Sequence, residues 1–357
     1  MWNGTEEFIE GWNEFVKTAF IEEPYSSKVM FSVSLLVVFI ISLVGNVLTC
    51  VVIYYDKTMH TATNYYLFDL AVSDLLVTFP ILIIVYQVLI PEIPIVEYKT
   101  GVMTCKFILC IQFTFVSLLW NHGILVMTAL SIERYIAICY PMMLQQTPVW
   151  RRIGKIILAI WLIAIAETLP LLWTLDVVDT GKNLKCFSVP TRTARIIMAT
   201  LAVATFILPL SIMIFVCTMI AFKVNDNQKH YMKDTFVYNN AFKRKNVNKL
   251  IAALTVSFVV CWLPTFTLRM LLFFTDIPKV VHFHGWFTTG HKVAMFNSWF
   301  TTVLNPLLFS LISIKFRKAL KILWDKKIKK RYFQTKKSMT AENQEKKSTS
   351  CYLVVQT

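Results

Sequence analysis

The sequence predicts an all-α membrane protein: a seven-transmembrane helix bundle with a short amphipathic eighth helix. Three observations carry that expectation. Of the 357 residues, 56% are hydrophobic and only 16% charged, against about 25% charged in ordinary soluble domains. Apolar stretches near 30–55, 65–90, 103–136, 153–174, 195–222, 248–274 and 287–312 reach the roughly 20 residues a helix needs to span a bilayer. Their apolar character is continuous rather than alternating, which argues against a β-barrel. Charge is also distributed by side. Residues 1–29 carry Glu6, Glu7, Glu10, Glu14, Glu22 and Glu23 against Lys17 and Lys28. The connection after the fifth stretch holds Lys243, Arg244 and Lys245, and the tail holds Lys326, Lys327, Lys329, Lys330 and Arg331. Basic segments mark the cytoplasmic side. The reading is therefore a multi-pass membrane protein with its N-terminus outside and its C-terminus inside. Residues 1–29 form an extracellular segment, 30–312 the transmembrane domain, 313–328 the amphipathic helix 8 and 329–357 a cytoplasmic tail.

The elements follow in order. The acidic N-terminus lacks the basic n-region of a cleavable signal peptide, and Asn3-Gly4-Thr5 is a glycosylation acceptor on the outside. The first stretch buries Asn46 among apolar residues. The second carries Asp69 and Asp74, five apart and so about 140° apart around a helix, which keeps the two carboxylates from pairing. The third ends in MTALSIERYIAICYP, Met127–Pro141, where the adjacent acid and base Glu133–Arg134 precede Tyr135. Charges beside hydrocarbon are expensive and usually functional. The fourth holds Trp161 and Pro170, the fifth Pro209, the sixth Trp262 and Pro264, and the seventh Asn305, Pro306 and Phe309. Pro209, Pro264 and Pro306 each remove a helix hydrogen bond and can kink the chain. Trp262, Phe266 and Arg269 share one face at i, i+4 and i+7. Phe113, Val116 and Trp120 make a similar stripe on the third stretch beside Ser117, and His291 joins this outward-opening set. No metal-spaced cluster or nucleophile motif suggests an enzyme. The net charge of +15 is assigned to anionic inner-leaflet lipid rather than nucleic acid.

The stretches Gly45-Asn46-Val47, LAVSD, E-R-Y, C-W-x-P and N-P-x-x-F, with the basic segment SIKFRKALKIL, resemble the signature positions of rhodopsin-like (class A) G-protein-coupled receptors over about residues 30–325. The run Met59–Leu76 is similar to the invertebrate capa, pyrokinin and neuromedin U neuropeptide receptor group. This resemblance implies a receptor that binds an extracellular peptide and activates a heterotrimeric G protein through outward movement of helix six. It assigns the switch to Glu133, Arg134, Tyr135, Cys217, Trp262, Pro264, Asn305, Pro306 and Phe309. It assigns ligand contact to Phe113, Val116, Ser117, Trp120, Phe266, Arg269 and His291. It also implies convergence of Asn46, Asn305 and Trp262 on Asp74, around water and a sodium ion. A disulfide would join Cys186 to Cys105, with Cys110 the alternative. Position 116 is not Asp, which removes an amine ligand.

Departures from the family pattern bear on mechanism. Gly123 replaces a serine that would offer the sodium an oxygen. Cys217 and Phe309 replace two tyrosines whose hydroxyls approach each other in the family's active state. Their joint loss strands no buried hydroxyl and implies low basal signalling. Competing readings are a divergent receptor-like protein with weak or no coupling, and a transporter, for which the expected internal repeats or paired broken helices are absent.

Overall fold

Pro24, with its fixed φ and no N–H to satisfy, starts the first helix. The structure is a computed structural model and describes residues 24–89, 102–140, 142, 148–179, 184–188, 191–230, 235–274, 284–323 and 325. Helix α1 runs Tyr25–Tyr55 and stops at Asp56, whose carboxylate accepts from Thr58 N at 2.9 Å and Thr58 Oγ1 at 2.7 Å. Helix α2, Ala62–Thr78, breaks at Phe79 and resumes as Pro80–Leu89, because Pro80 cannot donate into the preceding turn. Helix α3 spans Val102–Cys139. Helix α4, Val149–Thr168, ends in a tight turn, Leu169–Thr174, around Pro170.

Strands β1, Leu175–Asp179, and β2, Leu184–Ser188, form an antiparallel hairpin with Val177 opposite Cys186. This hairpin lies against α3 and is an addition to the all-helical expectation. Helix α5 comprises Arg192–Ala202 and Leu208–His230, joined by a π-helical turn, Val203–Ile207. Thr191 caps it, its Oγ1 accepting from Ala194 N at 3.1 Å. Helix α6 spans Thr235–Phe274 with Pro264 inside, and α7 spans His284–Ile312 with Pro306 inside. A final helix, α8, covers 314–323.

The first seven helices each hold a stretch long and apolar enough to cross a membrane. Two apolar clusters fill the bundle. One, toward the Arg134 end, gathers Leu130, Ile153, Met213, Leu254, Phe258 and Phe309, and α8 closes it with Phe316 and Ala319. The other packs Leu35, Val77, Ile81, Val116, Leu119 and Trp299 between α1, α2, α3 and α7. Outward-facing Ile40, Val44, Val47 and Val51 on α1 are exposed, as a lipid-facing surface requires.

Helices α1 and α7 approach closely at Gly45. A Cβ added there would sit 2.9 Å from Pro306 Cγ, whereas Gly154 has open space around it. The pyrrolidine ring is rigid, so the bundle rather than a side chain would have to give. Gly45→Ala is expected to destabilise the fold by about 1–3 kcal/mol, the usual cost of overpacking. Thermal unfolding in detergent should show a lower midpoint for Gly45→Ala than for Gly154→Ala; equal midpoints would remove the constraint.

Candidate functional site

The Arg134 end carries an ion pair that the sequence did not suggest. Glu133 is 4% exposed and accepts two hydrogen bonds from Arg152 on α4, from Nη1 at 2.6 Å and Nη2 at 2.7 Å. Glu133 and Arg134, adjacent in the sequence, form no ion pair with each other among the described residues. Neighbouring side chains on a helix diverge by about 100°, so Glu133 turns toward α4 while Arg134 points elsewhere. Arg134 is partly buried, and its Nε is shielded without a hydrogen-bond partner among the described residues. Tyr135 meets Tyr140 edge-on at 5.9 Å.

In the middle of the bundle, Asp74 Oδ2 accepts from Asn305 Nδ2 at 2.9 Å, tying α2 to α7. Asn46 does not join them. Its Nδ2 donates at 3.0 Å to Ser42 O and at 3.0 Å to Thr302 O, linking α1 to α7 instead. Ser42 Oγ continues the network to Thr78 Oγ1 at 2.7 Å. Trp262 likewise does not donate to Asp74; its ring meets Trp120 edge-on at 5.2 Å, and Trp120 meets Trp299 at 5.3 Å. The expected convergence on Asp74 thus reduces to Asn305. Asn305 Oδ1 is buried and unpartnered among the described residues, but a hard cation takes about six or more oxygens. Gly123 offers no oxygen there, and Asn46 turns its Nδ2 toward α7.

Asp69 has its own partners. It approaches His122 Nε2 at 3.1 Å and accepts from Trp161 Nε1 at 3.3 Å, while the His122 and Trp161 rings stack at 3.9 Å. This α2–α3–α4 knot keeps Asp69 apart from Asp74, as the helical spacing requires.

Toward the other end, a cavity opens between α3, α5 and α6. Ser117, Trp120, Trp262, Phe266 and Arg269 line it as the spacing suggested. Val116 instead packs toward α2 and α7, and Phe113 packs against Leu171, Ala194 and Met198. A stripe at i and i+3 spreads over two neighbours at once in a bundle, and here Trp120 alone of the three turns inward. The α5 wall, including Thr205 and Phe206, was not legible from the sequence. The π-helical turn inserts a residue there and shifts which side chains face in. Phe206 stacks on Phe266 at 4.3 Å. His291 on α7 lies within electrostatic reach of Arg269.

The two positions that lack tyrosine are filled by local packing. Cys217 Sγ lies 3.6 Å from Thr255 Oγ1 on α6, and Phe309 packs on Phe316 at 4.6 Å. Pro209 follows the π-helical turn. The side chains of Cys105, Cys110 and Cys186, and all of Asn3 and the tail, lie outside the described residues.

Residues 45–309 match the 7 transmembrane receptor (rhodopsin family). The chain belongs to that family. It is 25% identical to the pyrokinin-1 receptor of Drosophila melanogaster, over 86% of this chain and 83% of that one. It is 29% identical to human neuromedin-U receptor 1, over 79% of this chain and 70% of that one. A third relative is the QRFP-like peptide receptor of Branchiostoma floridae, 27% identical over 69% and 65% of the two chains. The family is one of receptors, not enzymes.

The Asp69 knot yields a test. His122 is fully buried, so removing it leaves a carboxylate short of a partner, at about 1–3 kcal/mol. His122→Leu should lower the unfolding midpoint, and adding Asp69→Ser should recover part of the loss. A double variant as unstable as the sum of the two single variants would show that the residues are not coupled.

Proposed function

We propose that the chain is a plasma-membrane receptor for an extracellular peptide. It activates a heterotrimeric G protein through outward movement of α6. The N-terminus lies outside and the C-terminus in the cytoplasm, as the charge asymmetry supports. The observation that carries the reading is the cavity itself. Arg269 stands in its wall, Trp120 and Trp262 meet within it, and Pro264 interrupts α6 two residues beyond Trp262. A ligand pressing on Trp262 therefore acts where the helix has lost a hydrogen bond and can hinge.

Below that hinge, α6 is held to α5 by the thiol–hydroxyl contact of Cys217 with Thr255 and by apolar packing of Leu254 and Phe258. Such contacts separate without stranding a charge. Their parting would open a groove for a helix of the G protein, next to Arg134. The names of the relatives, receptors for pyrokinin, neuromedin U and a QRFP-like peptide, support a peptide ligand. Cys186 would tie the hairpin to α3 through Cys105 or Cys110, and Asn3 would carry glycan. A second reading, weak coupling, is favoured by Cys217 and Phe309, where no pair of hydroxyls is present to clasp the active state.

Arg269 shows no carboxylate partner among the described residues, so a peptide carboxylate or carbonyl is its natural complement. A synthetic neuropeptide panel with calcium and cAMP readouts in transfected cells tests the function. An active peptide should lose one to two orders of magnitude in potency on Arg269→Ala, following the roughly 1.5–3 kcal/mol of a charge-assisted contact. An unchanged dose–response curve would remove Arg269 from the ligand site, and silence of the wild type across the panel in both readouts would favour the weak-coupling reading.

A further inference from the structure

We propose that Arg152 is a positioning residue for the switch: it draws the Glu133 carboxylate onto α4 and so leaves Arg134 unlatched in the resting receptor. The inference rests on the reading of Arg134 as the G-protein contact. Both oxygens of Glu133 are engaged, at 2.6 and 2.7 Å, by the two terminal nitrogens of one guanidinium. That is the fork geometry in which arginine binds carboxylate most strongly. Glu133 is 4% exposed and Arg152 20%, so solvent does not screen this pair as it would one on the surface. Tyr66 of α2, 1% exposed, lies within electrostatic reach of both partners.

Arg134 then forms no ion pair among the described residues. Helix α6, Thr235–Phe274, contains neither Asp nor Glu anywhere in its sequence, so no acid on that helix can serve as a latch. The carboxylate whose charge acts on Arg134 is that of Glu133, and Arg152 has taken it. Glu133 thus has two possible cationic partners, one in the next residue and one nineteen residues on. Its choice decides how far Arg134 is available to a partner protein. Without Arg152, the buried carboxylate would be left uncompensated, which is costly. Turning to Arg134 relieves that cost and withdraws the arginine.

The test uses the full-length chain in lipid nanodiscs, without ligand. Phenylglyoxal modification of Arg134, read by mass spectrometry, reports whether its guanidinium is engaged and needs no G protein. Basal nucleotide exchange on an added heterotrimeric G protein reports the consequence. Arg152→Gln is expected to slow modification of Arg134 roughly tenfold, the effect of gaining one charge-assisted bond, and to lower basal exchange in parallel. Adding Glu133→Gln to that variant should return the modification rate to the wild-type value. Glu133→Gln alone should leave the modification rate as it is in the wild type. A faster rate there would mean that Glu133 was holding Arg134 all along, and would overturn the proposal even if Arg152→Gln failed to fold. An unchanged rate in folded Arg152→Gln would overturn it too. If the modification rates follow the prediction while no variant supports exchange, the positioning role stands and the G-protein reading fails.

Discussion

A carboxylate inside a bilayer is costly without a partner. Three of this bundle's carboxylates, Asp69, Asp74 and Glu133, meet theirs on another helix, whereas Glu167 Oε2 on α4 has none among the described residues. Asp74 is answered from α7 by Asn305. Asp69 is answered from α3 and α4 by His122 and Trp161, and Glu133 from α4 by Arg152. Breaking any of these leaves a buried polar group short of a partner, at about 1–3 kcal/mol. Together with the Asn46–Thr302 link, they bind α1, α2, α3, α4 and α7 into one block.

Helix α6 stands outside that block at the Arg134 end. Of its polar contacts with α7, those of Thr265, to Ala294 O at 3.0 Å and to Ser298 Oγ at 2.6 Å, lie on the far side of Trp262 and Pro264 from Arg134, while the Cys261 thiol meets Thr301 one residue before Trp262. Beyond the proline, the described contacts are a thiol, a hydroxyl and apolar side chains. The division between a charge-tied frame and an apolar-packed lever is what a hinge at Pro264 needs. Two further features adjust the balance in opposite directions. On the proposed reading, absence of the paired tyrosines at Cys217 and Phe309 would take a clasp from the swung-out state. Capture of Glu133 by Arg152 removes a latch from the resting one.

The helices were legible because about twenty apolar residues in a row admit few alternatives, and the inward face of α6 followed from a regular 3.6-residue period. What the sequence concealed is spatial pairing. Glu133 and Arg134 are adjacent in the chain but diverge on the helix, whereas Arg152 is distant in the chain and meets Glu133 directly. Helical spacing separated Asp69 from Asp74 but did not name His122. Irregular backbone was concealed as well: the π-helical turn before Pro209 changes which residues of α5 face the cavity, and Pro80 splits α2. The identity of a helix was written in composition, while its rotation against neighbours depended on contacts that no local pattern encodes.

The central claim is that α6 moves against a frame that does not, and paired spin labels measure it directly. Labels at Lys57, in the turn between α1 and α2, and at Gly154 on α4 would span the frame, and labels at Gly154 and Ala252 would span α4 to α6. Both sets would be placed in a background without reactive native cysteines. On adding nucleotide-free heterotrimeric G protein, the account predicts that the 154–252 distance lengthens while the 57–154 distance stays constant. Equal lengthening of both, or no change in the first while G protein is bound, would contradict it.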